Sequence, residues 1–362
     1  MRTKLVYVLT CDENATYIEQ ALLSIYTARY YNPDATIVLL TDDKTDKLLT
    51  GNRGVVLQYV SEKIVIPFED NSLTPLYRSR WLKTSCRRLV RGPLLYIDCD
   101  TIVMRSLTPI DDIEGDVAMV HDAHMVVEEY TKQMFELSIE NCAKIGFDAK
   151  QERCYYNGGV IFVKDTNKGN KLFEAWHNEW KRGTEIKFYG DEPSLMKVNN
   201  ALGHIITELS DVWNCQVFMN PLFIYEAFIT HYWWVPGKRQ SFIFTPQFQK
   251  KVQENGLTEY VKLCALHPLN SMLPGNNHMS HFLLKDFWNM ANTLSHEMKM
   301  YAVYIDPSCA DFPWLRNMNR QERAAFIQKR YKCCMRLYAL RQYVKLRVFQ
   351  QRDSEKEILC TL

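Results

Sequence analysis

The sequence predicts an α/β fold built on a mostly parallel sheet flanked by helices, and three observations point to it. Short apolar runs alternate with segments of helical spacing through the first hundred residues. The apolar runs are β-rich and nearly continuous, as strands covered on both faces are. The run from Leu94 to Val103 then breaks on Asp98-Cys99-Asp100, which sets charged groups at the carboxyl end of a strand, where open α/β sheets place ligands.

Leu5 to Leu9 reads as the first buried strand, and Asn14 as the cap of a helix to about Tyr30, with Ile18, Leu22 and Ile25 on one face. Asn32-Pro33-Asp34 breaks the chain before a second strand, Thr36 to Leu40, ending in Thr41-Asp42-Asp43. Gly54 to Val60 suits a further strand, Ser61 to Pro75 a loop, and Ser79 to Val90 a helix, with Gly92-Pro93 punctuating before the Asp-x-Asp strand. Farther on, Asn157-Gly158-Gly159 opens a second loop-to-strand transition. Asp191-Glu192-Pro193 precedes a helix with Pro193 in its first turn, and His231 follows another apolar run.

At 362 residues the chain has room for one large α/β domain with extensions or for two domains; 47% hydrophobic and 12% aromatic residues supply a sizeable core and exclude disorder. Eleven cysteines, an odd number without a Cys-x-x-Cys pair, fit a reducing compartment better than a disulfide framework or a zinc site. Met1-Arg2-Thr3-Lys4 runs straight into the first strand and no later run approaches a membrane span, so a cytoplasmic location is expected.

The net charge of +2 hides an asymmetry: residues 316–362 hold 12 Lys plus Arg against 4 Asp plus Glu, which leaves the rest of the chain at −6. Within this tail Ala324, Ile327, Tyr331, Met335 and Tyr338 recur at helical steps between flanking cations. A basic amphipathic helix of this kind lies on an anionic membrane surface, each cation contributing about 1 kcal/mol, and would hold the protein peripherally at the inner face of the membrane. A helix packed on the body with a solvated basic side is the alternative. Nucleic acid is not an expected partner, since the body is acidic and no reader motif is present.

An Asp-x-Asp pair at a strand end offers oxygen ligands to Mn²⁺ or Mg²⁺, with coordination positions left for two phosphates; the same tripeptide also occurs as a solvated turn. Arg80 and Lys83, three apart on one helix face, are placed to hold a diphosphate, or else are surface cations of a basic stretch that includes Arg78, Arg87, Arg88 and Arg91. Asn157 offers donor and acceptor to sugar hydroxyls, while Asn-Gly-Gly is equally an ordinary turn. Asp191 suits a site or a helix cap, and His231 a metal or a satisfied core position. His267, His278 and His281 have no companion acids at metal spacing and read as loop or surface residues.

The order Val8-Leu9-Thr10, Asp42-Asp43, Tyr96-Ile97-Asp98-Cys99-Asp100-Thr101, Asn157-Gly158-Gly159, Asp191-Glu192, Trp213-Asn214 and His231-Tyr232 resembles the family 8 glycosyltransferases, the group of glycogenin and the lipopolysaccharide galactosyl- and glucosyltransferases. The likeness spans roughly residues 4 to 240. It implies a GT-A fold with a Rossmann-like nucleotide-binding half, a helical C-terminal extension, and transfer of a hexose from a nucleotide diphosphate sugar to a hydroxyl of a glycan or lipid-linked acceptor. The domains expected are a catalytic domain over 1–250, a helical extension on the acceptor side over 251–315 and the basic tail over 316–362.

By the same resemblance Asp98, Asp100 and His231 are the Mn²⁺ (or Mg²⁺) ligands, and Thr10, Asp12 and Asn14 line the base and ribose, an acid near the base suiting the N3–H of uracil and so a UDP-sugar. Asn157 and Asp191 contact the transferred sugar, and Arg80 or Lys83 reaches the donor. Glu192 stands where the family usually has Gln, close to the reacting carbon, where a carboxylate stabilises oxocarbenium charge or acts as a nucleophile. The outcome expected is retention. Lys238 is the counterpart of a phosphate-contacting Lys, although Gly237 and Lys238 come later here than the family pattern, behind Trp233-Trp234. Two other readings stay open: a haloacid-dehalogenase-type Mg²⁺-dependent phosphatase, which carries its Asp-x-Asp on the first strand, and a non-catalytic sugar-nucleotide-binding protein on the same fold.

Overall fold

The computed structural model describes residues 1–127, 132–217, 226–233 and 242–268. All of these residues fall within one compact unit, which spans Met1–Asp286. The expected basic tail, the extension beyond residue 268, Lys238, His278 and His281 lie outside the described residues.

Among the described residues seven strands form the main sheet, in the order β3 (Glu62–Ile66), β2 (Ile37–Asp42), β1 (Lys4–Leu9), β4 (Leu94–Ile97), β7 (Tyr156–Val163), β6 (Val117–His121) and β8 (Ile206–Glu208). β3, β2, β1 and β4 run parallel; β7 alone is reversed, antiparallel to β4 and β6, and β8 is parallel to β6. This is the mostly parallel, helix-covered α/β sheet expected from the alternation of apolar runs. Period-2 burial explains why these strands carry few polar residues. Leu5, Tyr7 and Leu9 face one core, with Ile18, Leu22 and Ile25 of α1 (Tyr17–Tyr31). Val6 and Val8 face the other, with Leu82 and Cys86 of α4 (Pro75–Leu89), Trp176 of α6 (Asn167–Glu185) and Leu195 of α7 (Asp191–Ala201).

A second, three-stranded sheet joins β5 (Thr101–Val103), β10 (Ile229–His231) and β9 (Cys215–Gln216), with β10 antiparallel to β5 and parallel to β9. The apolar run from Leu94 to Val103 is therefore two strands in two sheets, separated by the turn at Asp98-Cys99-Asp100.

Three local expectations are corrected. Helix α1 begins at Tyr17, and Asn14 is exposed rather than capping, because the Ala15 amide turns back to the Asp12 carbonyl (3.1 Å). Gly54 to Val60 is not a strand: after α2 (Asp43–Leu48), α3 (Gly51–Gly54) runs into a 3₁₀ turn over Val55–Tyr59, which the guanidinium of Arg53 ties to the Ala15 carbonyl (2.7 Å) and Glu19 (2.8 Å). The strand falls instead at Glu62–Ile66, within the stretch expected to be loop. As a sheet edge it carries the exposed Glu62 and Lys63, which leaves an apolar run of only three residues, Ile64 to Ile66.

After α5 (Lys132–Lys144) and the strands above, α8 (Pro246–Asn255) and α9 (Glu259–Leu266) add Phe248, Val252, Val261 and Cys264 to the α1-side core, and Asn52 donates to the Glu254 carbonyl (2.7 Å). Residue 250 thus falls inside a helix of this unit.

Arg78 and Arg87 are buried, not surface cations. Arg78 Nε lies 2.7 Å from Asp42 Oδ2, and Asp42 also accepts from the Thr45 amide (2.6 Å) to cap α2. Removing one partner of a buried pair strands the other charge. Arg78→Met is therefore expected to lower the unfolding free energy by about 3–5 kcal/mol, read as a denaturant-midpoint shift at unchanged m-value; a loss below about 1 kcal/mol would show that the pair carries little.

Candidate active site

The site begins where β4 gives out. The Asp98 amide continues the β4–β7 ladder by donating to the Gly159 carbonyl (2.8 Å), and Thr101 Oγ1 closes the turn by donating to the Asp98 carbonyl (2.8 Å). Past the turn, Thr101 pairs with His231 across β5 and β10, and the Tyr232 amide donates to the Asp100 carbonyl (2.9 Å). This register brings His231 Nε2 to 3.3 Å from Asp100 Oδ1. One ligand atom from each of Asp98, Asp100 and His231 can be chosen so that all lie within 4.8 Å of one another.

Nε2 of His231 is buried and has no aligned hydrogen-bond partner, an arrangement that fits a cation among two carboxylates and an imidazole. Burial works against the imidazolium, but the charge of Asp100 more than offsets it and lifts the His231 pKa; Asp100, despite burial, is held low by His231. A cation held here would therefore compete with protons for this imidazole.

Arg80 and Lys83 are drawn into the same site, and Lys83 is almost wholly buried. Arg80 Nε lies 2.9 Å from Asp191 Oδ1 and Lys83 Nζ 2.9 Å from Asp191 Oδ2, with Asp98 Oδ1 3.8 Å from the same ammonium. Lys83 also sits over the Tyr96 ring, 5.2 Å from its centroid, while the Tyr96 hydroxyl donates to Asp98. Burial would raise the Asp191 pKa; Arg80 and Lys83 overcome it and hold the group at about 2. Gly190, not Asp191, is the N-cap of α7. The approach to α7 is clamped from α6, where Trp176 Nε1 donates to the Asp191 carbonyl (2.8 Å) and Trp180 Nε1 to that of Tyr189 (3.2 Å).

Asn157, Gly158 and Gly159 lie inside β7 rather than in a turn before it. The β6–β7 register slips between Met119↔Ile161 and His121↔Tyr156, so the Asn-Gly-Gly segment bulges beside the site, just before the last β4 pair, Ile97↔Val160. A Cβ on Gly159 would lie 2.1 Å from His231 Cε1, so that position demands the bare backbone, while one on Gly158 would lie 3.0 Å from Lys83 Nζ and press on the ammonium. The Gly158 amide donates to Glu192 Oε1 (2.9 Å). Desolvation, reinforced by the charges of Asp122 and Asp191, raises the Glu192 pKa to about 8.

Thr10, Asp12 and Asn14 follow β1, whose carboxyl end lies beside that of β4 through the pair Tyr7↔Ile97. Thr10 Oγ1 donates to the Pro75 carbonyl (2.8 Å), Asp12 is 3.7 Å from Arg78, and Asn14 is exposed. Two residues were not singled out from the sequence: Asp122, which accepts from Asn157 Nδ2 (3.0 Å), and Asn214, whose Oδ1 is 2.9 Å from His231 Nδ1. Asp122 directly follows an apolar strand, the same signal that marked Asp98; Asn214 gave only its place after Trp213.

The sequence profile of the family described as glycosyl transferase family 8 matches residues 13–238, more than half of the chain. The chain belongs to this family. Family 8 membership makes it a glycosyltransferase that uses a nucleotide-sugar donor, and sets aside the phosphatase reading, as does the position of the Asp-x-Asp after the fourth strand. A comparison with curated proteins gives no match. Similar solved structures include the galactosyltransferase LgtC in complex with donor and acceptor sugar analogues (16% identity over 71% of this chain and 97% of that one, TM-score 0.47). The bifunctional glycosyltransferase WbbM (14%, 71% and 52%, 0.48) and the glycosyltransferase GlyE of Streptococcus pneumoniae TIGR4 (16%, 74% and 64%, 0.43) are also similar. Among the described residues no helix is long and apolar enough to cross a membrane.

With its pKa raised from the usual 4.5 to about 8, Glu192 keeps its proton in the native family 8 fold across a window in which the unfolded chain has lost it. Its contribution to stability therefore falls as pH rises through that window and levels off above it. Glu192→Gln, which cannot titrate, is expected to melt about 2 °C or more above wild type at about pH 9 and level with it at about pH 4. Equal melting temperatures across the range, followed by scanning calorimetry, would refute the raised pKa.

Proposed function

We propose that the protein moves a hexose from a UDP-sugar to a hydroxyl of a glycan or lipid-linked acceptor, with Mn²⁺ or Mg²⁺ and with retention of configuration. The observation that carries this reading is the meeting of Asp98, Asp100 and His231 beside the Arg80–Lys83–Asp191 charge cluster. Asp98, Asp100 and His231 would hold the cation, which when bound supplies charge neutralisation to the departing diphosphate. Lys83, within 4 Å of Asp98, and Arg80 bind and orient the phosphates and stabilise the charge that develops on them. Thr10, Asp12 and Asn14 take the base and ribose, Asp12 accepting from uracil N3–H. Asn157 and Asp191 hold the sugar, and Lys238 is the remaining donor contact assigned from the family pattern.

Glu192 is assigned the part of a neutral acid. Protonated below about pH 8, it keeps the Gly158 amide on Oε1 and retains an O–H donor for the sugar or acceptor, as the amide of the usual Gln does. A neutral carboxyl is a poor nucleophile, so attack by the acceptor from the leaving-group face is favoured over a covalent sugar–enzyme intermediate.

Asp100→Asn is expected to abolish metal-dependent release of UDP from the donor while leaving the thermal unfolding profile intact; normal turnover by this variant would remove the metal assignment. A wild-type protein that binds UDP-sugar without releasing UDP would make it a binder. For Glu192, kcat/KM of wild type should decline above about pH 8 and that limb should vanish in Glu192→Gln, which keeps activity within about tenfold. Loss of nearly all activity in the Gln variant, with trapping of sugar on wild-type Glu192, would establish the nucleophile instead.

A further inference from the structure

His231 is the end of a hydrogen-bonded chain whose direction is fixed by a backbone N–H. The backbone N–H of Gly159 donates to one side-chain atom of Asn157 (3.0 Å), and because a peptide N–H only donates, that atom must be Oδ1. Asn157 Nδ2 then faces Asp122 Oδ1 (3.0 Å), which accepts. The Asn214 atom 2.9 Å from Asn157 Oδ1 must be a donor, Nδ2. Asn214 therefore turns Oδ1 toward His231 Nδ1 (2.9 Å), and Nδ1 must carry a proton. A neutral imidazole protonated at Nδ1 has its lone pair on Nε2, the buried atom that lies beside Asp100. Asn157, Asn214 and His231 are all buried, so water does not offer the relay an alternative partner.

We propose that Asn214 is a positioning residue for the metal site: the relay Gly159 N–H, Asn157, Asn214 locks His231 in the Nδ1–H tautomer and aims a bare Nε2 at a divalent cation. This rests on the metal reading of Asp98, Asp100 and His231. Both amide orientations follow from one peptide N–H, so the tautomer is set whether or not Asp122 is ionised.

The experiment uses the full chain. Ring ¹⁵N shifts of the metal-free protein are followed with rising pH until the His231 signals stop moving, so that the neutral imidazole is read, and His231 is assigned by its loss in His231→Gln. Mn²⁺ binding is measured by electron paramagnetic resonance with and without UDP. Wild type should show Nε2 unprotonated. Asn214→Leu, which removes the acceptor, should shift His231 toward the Nε2–H form and weaken Mn²⁺ binding about 10–100-fold. Asn214→Asp, which keeps an acceptor facing Nδ1, should retain the bare Nε2 and bind Mn²⁺ more tightly than the Leu variant.

A wild-type spectrum with Nε2 protonated overturns the relay, even if the Leu variant fails to fold. So does a folded Leu variant with wild-type shifts and wild-type Mn²⁺ affinity, or an Asp variant no better than Leu. If wild type binds no Mn²⁺ with or without UDP, the metal reading fails instead, and the ¹⁵N spectrum alone decides the tautomer.

Discussion

The site depends on the pairing of Thr101 with His231. Because Ile97 ends a strand of the large sheet and Thr101 begins a strand of the small one, the tripeptide Asp98-Cys99-Asp100 between them is the covalent link from one sheet to the other. The register of β10 on β5 then decides which side chain meets Asp100; a slip of one residue would present Thr230 or Tyr232 and turn every side chain of β10 to its opposite face. The Tyr232–Asp100 backbone bond pins that register at the site itself. Ligand geometry is thus held by main-chain pairing rather than by long side chains reaching from loops.

Around this frame the polar groups are sorted by partner. Asp42, Arg78 and Arg87 are buried charges engaged in the scaffold: Asp42 caps a helix, and Arg87 donates to the Val90 and Gly92 carbonyls beside Asp165. Asp191, Arg80 and Lys83 are buried or half-buried charges paired with one another, with Lys83 also beside Asp98. Side chains of the same type, a few residues apart on α4, serve different ends according to the turn of the helix: Arg78 reaches toward β2 and Lys83 toward β4.

What the sequence disclosed follows from periodicity and strand ends. The strands at Leu5, Thr36 and Leu94, and the carboxyl-end position of Asp98 and Asp100, were legible because a doubly covered strand must be apolar and its end need not be. Edge strand β3 was not, since it opens on the charged pair Glu62-Lys63 and only three apolar residues follow. Nor was the helical path of Val55–Tyr59, whose β-branched residues favour a strand in isolation and are overruled by Arg53 binding the start of α1. Arg80 and Lys83 were found through their spacing, but nothing in a linear pattern separates them from Arg78. The amides of Asn157 and Asn214 meet across 57 residues, a contact that only the folded β7 and β9 regions create.

The two cations beside the donor site are already engaged. Lys83 rests against Asp191, whose backbone the α6 indoles hold in place, so on the proposed function a phosphate and the fixed acid would make rival claims on a single ammonium. A donor phosphate bound as proposed would draw on the same ammonium, and Asp191 would then lose part of what depresses its affinity for a proton. Binding of the leaving group and the basicity of Asp191 would in that case be coupled through one side chain.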